Sequence, residues 1–307
     1  MQKEKTLKHT KPPTHSMKRP SMKGKGIRFG PAGIPLSTPK PADTITGIHY
    51  TKSLGLNALE LEFVRSVFLK EDKAEEVGGV AQKEDITLTA HAPYYVNLAT
   101  TDEKKREATK NRILSSMRAL HAAKGYSVVF HPGFYQKDTP ERVHTRILST
   151  LKEIRKTADD EGLTVWLRPE TMGKPSQYGS LSEVLTLSQN LEGVMPCIDF
   201  AHLHARSNGK YNTADEFAEI LTRVEDALGS EALREMHVHF SGIAYGEKGE
   251  KHHLTLKESD FNYEDWLSVL KAYRVEGVFI SESPNIEEDA LLAKKTYETI
   301  LPWKKKA

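Results

Sequence analysis

Eight short runs of β-forming residues recur along this chain, separated by longer amphipathic stretches. The runs are Ile27–Gly30, Ala58–Phe63, Ile86–His91, Ser127–His131, Leu163–Glu170, Val194–Asp199, Met236–Phe240 and Val278–Glu282. Between them, apolar residues fall at helical spacing. Ile113, Leu114, Met117 and Leu120 do so within Thr101–Lys124, and Ile147, Leu148, Leu151 and Ile154 within Arg142–Glu161. Phe217–Leu228 and Tyr263–Tyr273 repeat the pattern. Eight βα units of this length predict a closed (β/α)8 barrel, whose strands deliver their C-terminal ends to one cavity. A doubly wound open sheet is the alternative, but it would not gather every strand end. Neither GxGxxG nor GxxxxGK[ST] occurs, so nucleotide-binding loops have no support.

The strand ends carry the chemistry. His91, His131, Glu170 and Asp199 close the third to sixth runs, and His202 follows three residues after Asp199. His237 and His239 lie in the seventh, and Glu282 closes the eighth. One such residue is ordinarily a hydrogen-bonded core group. So many charges and imidazoles in one cavity need compensation, and metal ions provide it. Imidazole and carboxylate together suit zinc, with manganese the other option. One zinc takes about four ligands, so the surplus predicts two or three metals. Closely spaced metals suit phosphodiester displacement, because they stabilise both the attacking and the leaving oxygen.

The only cysteine, Cys197, lies inside a strand and reads as a small core residue; no intrachain disulfide is possible. No apolar run approaches a membrane span, which points to a soluble cytoplasmic protein without membrane partners. The net charge of +2 is uneven. Residues 1–25 hold eight Lys or Arg against one Glu and almost nothing apolar, leaving the remainder acidic. We read 1–25 as a disordered basic tail, able to tether nucleic acid loosely, and 26–303 as one barrel domain. The Gly-rich polar stretches 171–180 and 241–262 sit where barrel active-site loops belong.

HAPYYVNL at 91–98, HPG at 131–133, RPET at 168–171, CIDFAHLHA at 197–205, MHVHFSG at 236–242 and SESP at 281–284 together resemble endonuclease IV, in wording closest to its archaeal branch. That resemblance, from about Ile27 to Leu301, implies a xylose isomerase-like barrel with a trinuclear zinc site. It also implies a monomeric enzyme of base-excision repair acting on double-stranded DNA with abasic or 3′-blocked lesions. The implied cut lies 5′ to the abasic site and leaves a 3′-hydroxyl and a 5′-deoxyribose phosphate. By motif, His91 and His131 correspond to ligands of the first zinc, and Glu170 to the bridge between first and second, with the catalytic role. Asp199, His237 and Glu282 would complete the second zinc, and His202 belongs to the third. The family's Asp-x-His pair after strand seven falls on GEKHHLTLKESDF, which places His253 at the histidine and Lys251 at the aspartate. A protonated lysine cannot ligate. Glu250, His239 or His252 stand as substitutes, and a two-metal centre is the other outcome. Tyr94, Tyr95 and Arg65 correspond in position to side chains that would stack, wedge or contact phosphate. The rival reading is a single-metal sugar isomerase or epimerase of the xylose isomerase-like group, using one Glu, Asp, His and Glu set.

Overall fold

The computed structural model describes residues 18–304. All eight expected strands are present: β1 (Ile27–Pro31), β2 (Ala58–Glu62), β3 (Thr87–His91), β4 (Ser127–Phe130), β5 (Trp166–Pro169), β6 (Cys197–Asp199), β7 (Met236–Phe240) and β8 (Gly277–Ser281). Two parallel ladders, β2–β3–β4–β5 and β6–β7–β8–β1, account for them. Single bridges join the ladders, Ala32 to Glu60 at one seam and Glu170 to Cys197 at the other. The result is a closed (β/α)8 barrel. Gly30 sits on the first seam, where a Cβ would come within 2.0 Å of the Ala58 carbonyl oxygen. Only a residue without a side chain permits that approach.

The helices are α1 (Thr44–Ser53), α2 (Glu71–Lys83), α3 (Glu103–Ala122), α4 (Pro140–Asp160), α5 (Leu181–Asn190), α6 (Phe200–Arg206), α7 (Ala214–Leu228), α8 (Tyr263–Ala272) and α9 (Glu287–Thr299). Reciprocal capping boxes start α5 at Ser180 and Glu183 and α7 at Thr213 and Glu216. The apolar core lies between strands and helices. Leu59, Leu61 and Leu88 pack with Ile113, Met117 and Ile147, while Val238, Phe240 and Phe279 pack with Phe217 and Trp266. Successive strand residues face opposite sides. Glu60, His237 and His239, offset from those leucines and from Val238, therefore face inward. None of the described helices is long and apolar enough to cross a membrane.

Two expectations are corrected. Residues 18–25 are not a free tail: they lie across the N-terminal end of the barrel. Met22 is buried, and its amide donates to Glu235 Oε2 at 2.7 Å. The Trp166 indole donates to the Pro20 carbonyl at 2.9 Å, and Arg19 reaches Asp159 and Glu192 at 3.5 Å each. Residues 1–17, the rest of the expected tail, lie outside the described residues. The stretch read as a polar loop at 241–262 contains an antiparallel hairpin, Gly242–Gly246 with Gly249–Leu254. Its turn is glycine-rich, and its polar residues gave no strand alternation to read.

Candidate metal centre

Four groups of donors lie within metal-ligating reach: three at the C-terminal mouth of the barrel share members, and a fourth, deeper one joins Cys197, whose thiol burial pushes up to about 12, with His237 and His239. In the first, His91, His131 and Glu170 lie within metal-ligating reach of one another. His131 Nε2 is 3.0 Å from Glu170 Oε2, and His91 Nε2 is 3.5 Å from the same oxygen. His91 Nδ1 donates to the Ala92 carbonyl at 2.7 Å, which holds Nε2 toward the cavity.

The second group is Glu170, Asp199, His239 and Glu282. His239 Nδ1 is 3.3 Å from Glu170 Oε1 and 3.4 Å from Glu282 Oε1. Here the structure corrects the expected membership. His237 sits one layer deeper, with Nδ1 2.8 Å from Ser127 Oγ and Nε2 3.2 Å from Glu60 Oε2. Both histidines face inward because they are two residues apart, so the spacing alone does not say which reaches the upper layer.

Asp199, His202 and His253 make the third group. Asp199 caps α6 by accepting from the His202 amide at 2.7 Å, which fixes both side chains at one helix start. The Nε2 atoms of His202 and His253 face each other at 3.3 Å, and Glu250 Oε2 is 3.5 Å from His202 Nε2. The hairpin explains this meeting. Ala244 pairs with His252 and its neighbour Tyr245 with Glu250, so Lys251 is an unpaired bulge residue. A bulge resets the alternation of side chains. Glu250 and His253 thereby both turn toward His202, while Lys251 and His252 are exposed. Of the substitutes for the absent aspartate, Glu250 is near the third group, His239 belongs to the second, and His252 joins neither.

The electrostatics are those of a crowded polar interior. Burial pushes Glu62 up to about 8, helped by the charge of Glu60, and pushes Asp199 up to about 6. Against burial, the charge of His239 draws Glu282 down to about 2, and His131 holds Glu170 well below the usual carboxylate range. His91, despite burial, is raised to about 9 by its contact with Glu170. Asp199 Oδ2 is buried with no hydrogen-bond partner. Facing imidazole nitrogens, an orphaned carboxylate oxygen and mixed N/O donors fit divalent cations of the zinc or manganese type.

At the rim, Tyr94 and Tyr95 are 53% and 67% exposed, and Arg65 is also exposed. The Tyr94 ring lies over the first group, with centroids 5.7 Å from His91 and 6.0 Å from His131. Val64, Phe68 and Phe134 are further exposed apolar side chains on the neighbouring loops. Glu60 and Glu62 escaped the sequence reading, although acidic residues at alternate positions of a buried strand, ALELE, were the available signal.

A family model for the xylose isomerase-like TIM barrel matches residues 48–303. The chain belongs to that family. An uncharacterised protein of Methanocaldococcus jannaschii is 43% identical over 272 residues, covering 89% of this chain and 97% of that one. A probable endonuclease 4 of Aster yellows witches'-broom phytoplasma is 27% identical, covering 72% of this chain and 78% of its own length. Among solved structures, endonuclease IV from Thermus thermophilus superposes with TM-score 0.66 at 22% identity, covering 87% of this chain and 97% of that one. A D-tagatose 3-epimerase-like protein gives 0.68 at 20% identity, covering 88% and 96%. At these identities the structural likeness shows the barrel.

Proposed function

We propose that this chain is a metal-dependent endonuclease that cleaves DNA on the 5′ side of abasic sites, with zinc in two or three positions. The observation that carries this reading is the sharing of donors. Glu170 belongs to two groups and Asp199 to two, so one set of side chains offers three neighbouring positions. A single-metal enzyme has no use for His91, His131, His202 and His253 together. We assign His91, His131 and Glu170 to one position, Glu170, Asp199, His239 and Glu282 to the next, and Asp199, His202, His253 and Glu250 to the third. Divalent ions held there supply Lewis-acid stabilisation of charge developing on a phosphodiester.

The chain's own groups do the rest. The cavity gathers Glu60, Glu170, Asp199 and Glu282, and divalent ions held there would add positive charge where a phosphate backbone must lie. Glu170 fixes the spacing of two positions. Tyr94 and Tyr95 present flat faces beside the cavity, suited to a base or to the gap left by a flipped sugar, and Arg65 supplies a cation for backbone phosphate. Base loss lowers the cost of extrusion. The endonuclease 4 relatives support this choice within the family.

The second reading is a sugar epimerase. One observation favours it: the Glu170, Asp199, His239 and Glu282 group is by itself a complete donor set for one divalent ion. Two measurements decide. An oligonucleotide duplex with one abasic analogue is expected to yield a 5′-side incision with a free 3′-hydroxyl, and elemental analysis more than one metal per chain. No incision, one metal per chain and turnover of a ketohexose would overturn the nuclease in favour of the epimerase.

A further inference from the structure

Below the upper donors lies Glu60, wholly buried in the barrel. Its Oε1 is 2.9 Å from His239 Nε2, its Oε2 is 3.2 Å from His237 Nε2, and Oε2 also accepts from Thr89 Oγ1 at 2.7 Å. Neither ring nitrogen is aligned for a full hydrogen bond, so both contacts are close approaches of nitrogen and carboxylate oxygen. His237 is engaged on its other side by Ser127, at 2.8 Å from Nδ1. His239 is different: its Nδ1 faces Glu170 and Glu282 in the upper layer.

We propose that Glu60 is the positioning residue of the metal centre, and that it determines which of two inward histidines serves as a ligand. The proposal rests on the metal-centre reading above. A carboxylate beside Nε2 of a neutral imidazole favours the tautomer protonated there, and so leaves Nδ1 as the lone-pair nitrogen. For His239 that lone pair points at Glu170, Asp199 and Glu282. For His237 the same carboxylate and Ser127 occupy both ring nitrogens, and the ring is retained as a wedge one layer down. Thr89 anchors Glu60 from β3, so the carboxylate is held from two neighbouring strands. Burying an acid at this depth is costly unless its partners are fixed. The arrangement accounts for a glutamate on β2 that touches none of the three upper groups except through His239.

Glu60→Gln replaces the acceptor with an amide of the same shape, which can donate to Nε2 and favour the opposite tautomer. It is expected to weaken zinc at one position by about 10–100-fold, read by competition with a chromogenic chelator, with Glu60→Asp partly restoring affinity. His239→Ala is expected to lose one metal per chain, whereas His237→Asn keeps the count. In the wild-type zinc protein, long-range 1H–15N spectra of the imidazoles are expected to show His239, assigned by its loss in His239→Ala, with the proton on Nε2. That measurement requires no altered protein to fold other than for assignment. Wild-type zinc affinity in Glu60→Gln, or a proton on Nδ1 of His239, overturns the role of Glu60. A full metal count in His239→Ala overturns the underlying centre instead.

Discussion

Glu170 touches His91, His131, His202 and His239 at 3.0 to 3.5 Å, so four imidazoles converge on one carboxylate. Glu170→Gln is expected to leave the barrel folded and lower incision by at least about 100-fold, roughly 2.7 kcal/mol of barrier. Activity within tenfold of wild type on an abasic duplex would remove it from the bridging position. His253→Ala should lose one zinc per chain and the exposed His252→Ala none, as counted by elemental analysis. Equal counts in both would take the hairpin out of the centre. The titrating groups give a further expectation with a defined sign. His91 is raised from its ordinary 6.5 to about 9, so its contribution to the metal-free protein is fully present below 6.5 and lost as pH rises through 9. Glu62, raised from 4.5 to about 8, works in the same direction. The chelated protein should therefore melt at progressively lower temperature from pH 6.5 to 9 in calorimetric scans. Zinc binding, which must displace the proton of His91, should tighten over the same interval. A flat melting temperature would show that the histidines are neutral without metal.

Among the elements, the strands were the most legible part of the sequence. Each barrel strand is a compact β-forming run, and most end in a histidine or a carboxylate, so pattern and chemistry agreed. The hairpin at Gly242–Leu254 was not legible, because its first strand, GIAYG, is short and bounded by glycines, its second, GEKHHL, is polar on both faces, and its register depends on one bulged lysine. The choice between His237 and His239 was hidden for a related reason. Period-two alternation says that both face the barrel interior, but depth in the barrel is set by strand stagger, which local text does not encode. Glu60 was overlooked because a strand-interior acid has meaning only once its cross-barrel partners are known. Deleting Lys251 tests the bulge. Without it Glu250 and His253 stand two positions apart on a regular strand and still share the face toward His202. The metal count per chain should therefore be unchanged by elemental analysis. Loss of one metal would show that the bulge itself, and not the shared face, aims the ligands. At the β1–β2 seam, Gly30→Ala drives a Cβ into the Ala58 carbonyl and should cost about 3 kcal/mol or more in denaturant titration. An unchanged midpoint would mean that the seam is looser than its geometry.

For the whole molecule, the asymmetry of charge divides at residue 18. Residues 1–17 hold four lysines and one glutamate, while Arg19 and Lys23 are paired with acids at the base of the barrel. Removing 1–17 should make the dependence of DNA affinity on salt shallower. Removing 1–25 should also lower the melting temperature, since Met22 and the Trp166 to Pro20 hydrogen bond go with it. Identical salt slopes for the full and shortened chains would exclude contacts from 1–17 to phosphate.

The segment across the base has a consequence for how the molecule is made. Glu231, Glu235 and Glu276, which hold Lys23, Met22 and Gly24, lie more than 200 residues further along the chain. β1 likewise waits for β8 before its outer edge is paired. A nascent chain therefore leaves the ribosome with its first strand exposed on one side until nearly the last strand has been synthesised. Partners this distant in sequence slow closure, and an open edge invites pairing with other chains. Newly made protein should thus pass through a long interval of dependence on chaperones, ending when the final quarter of the chain emerges.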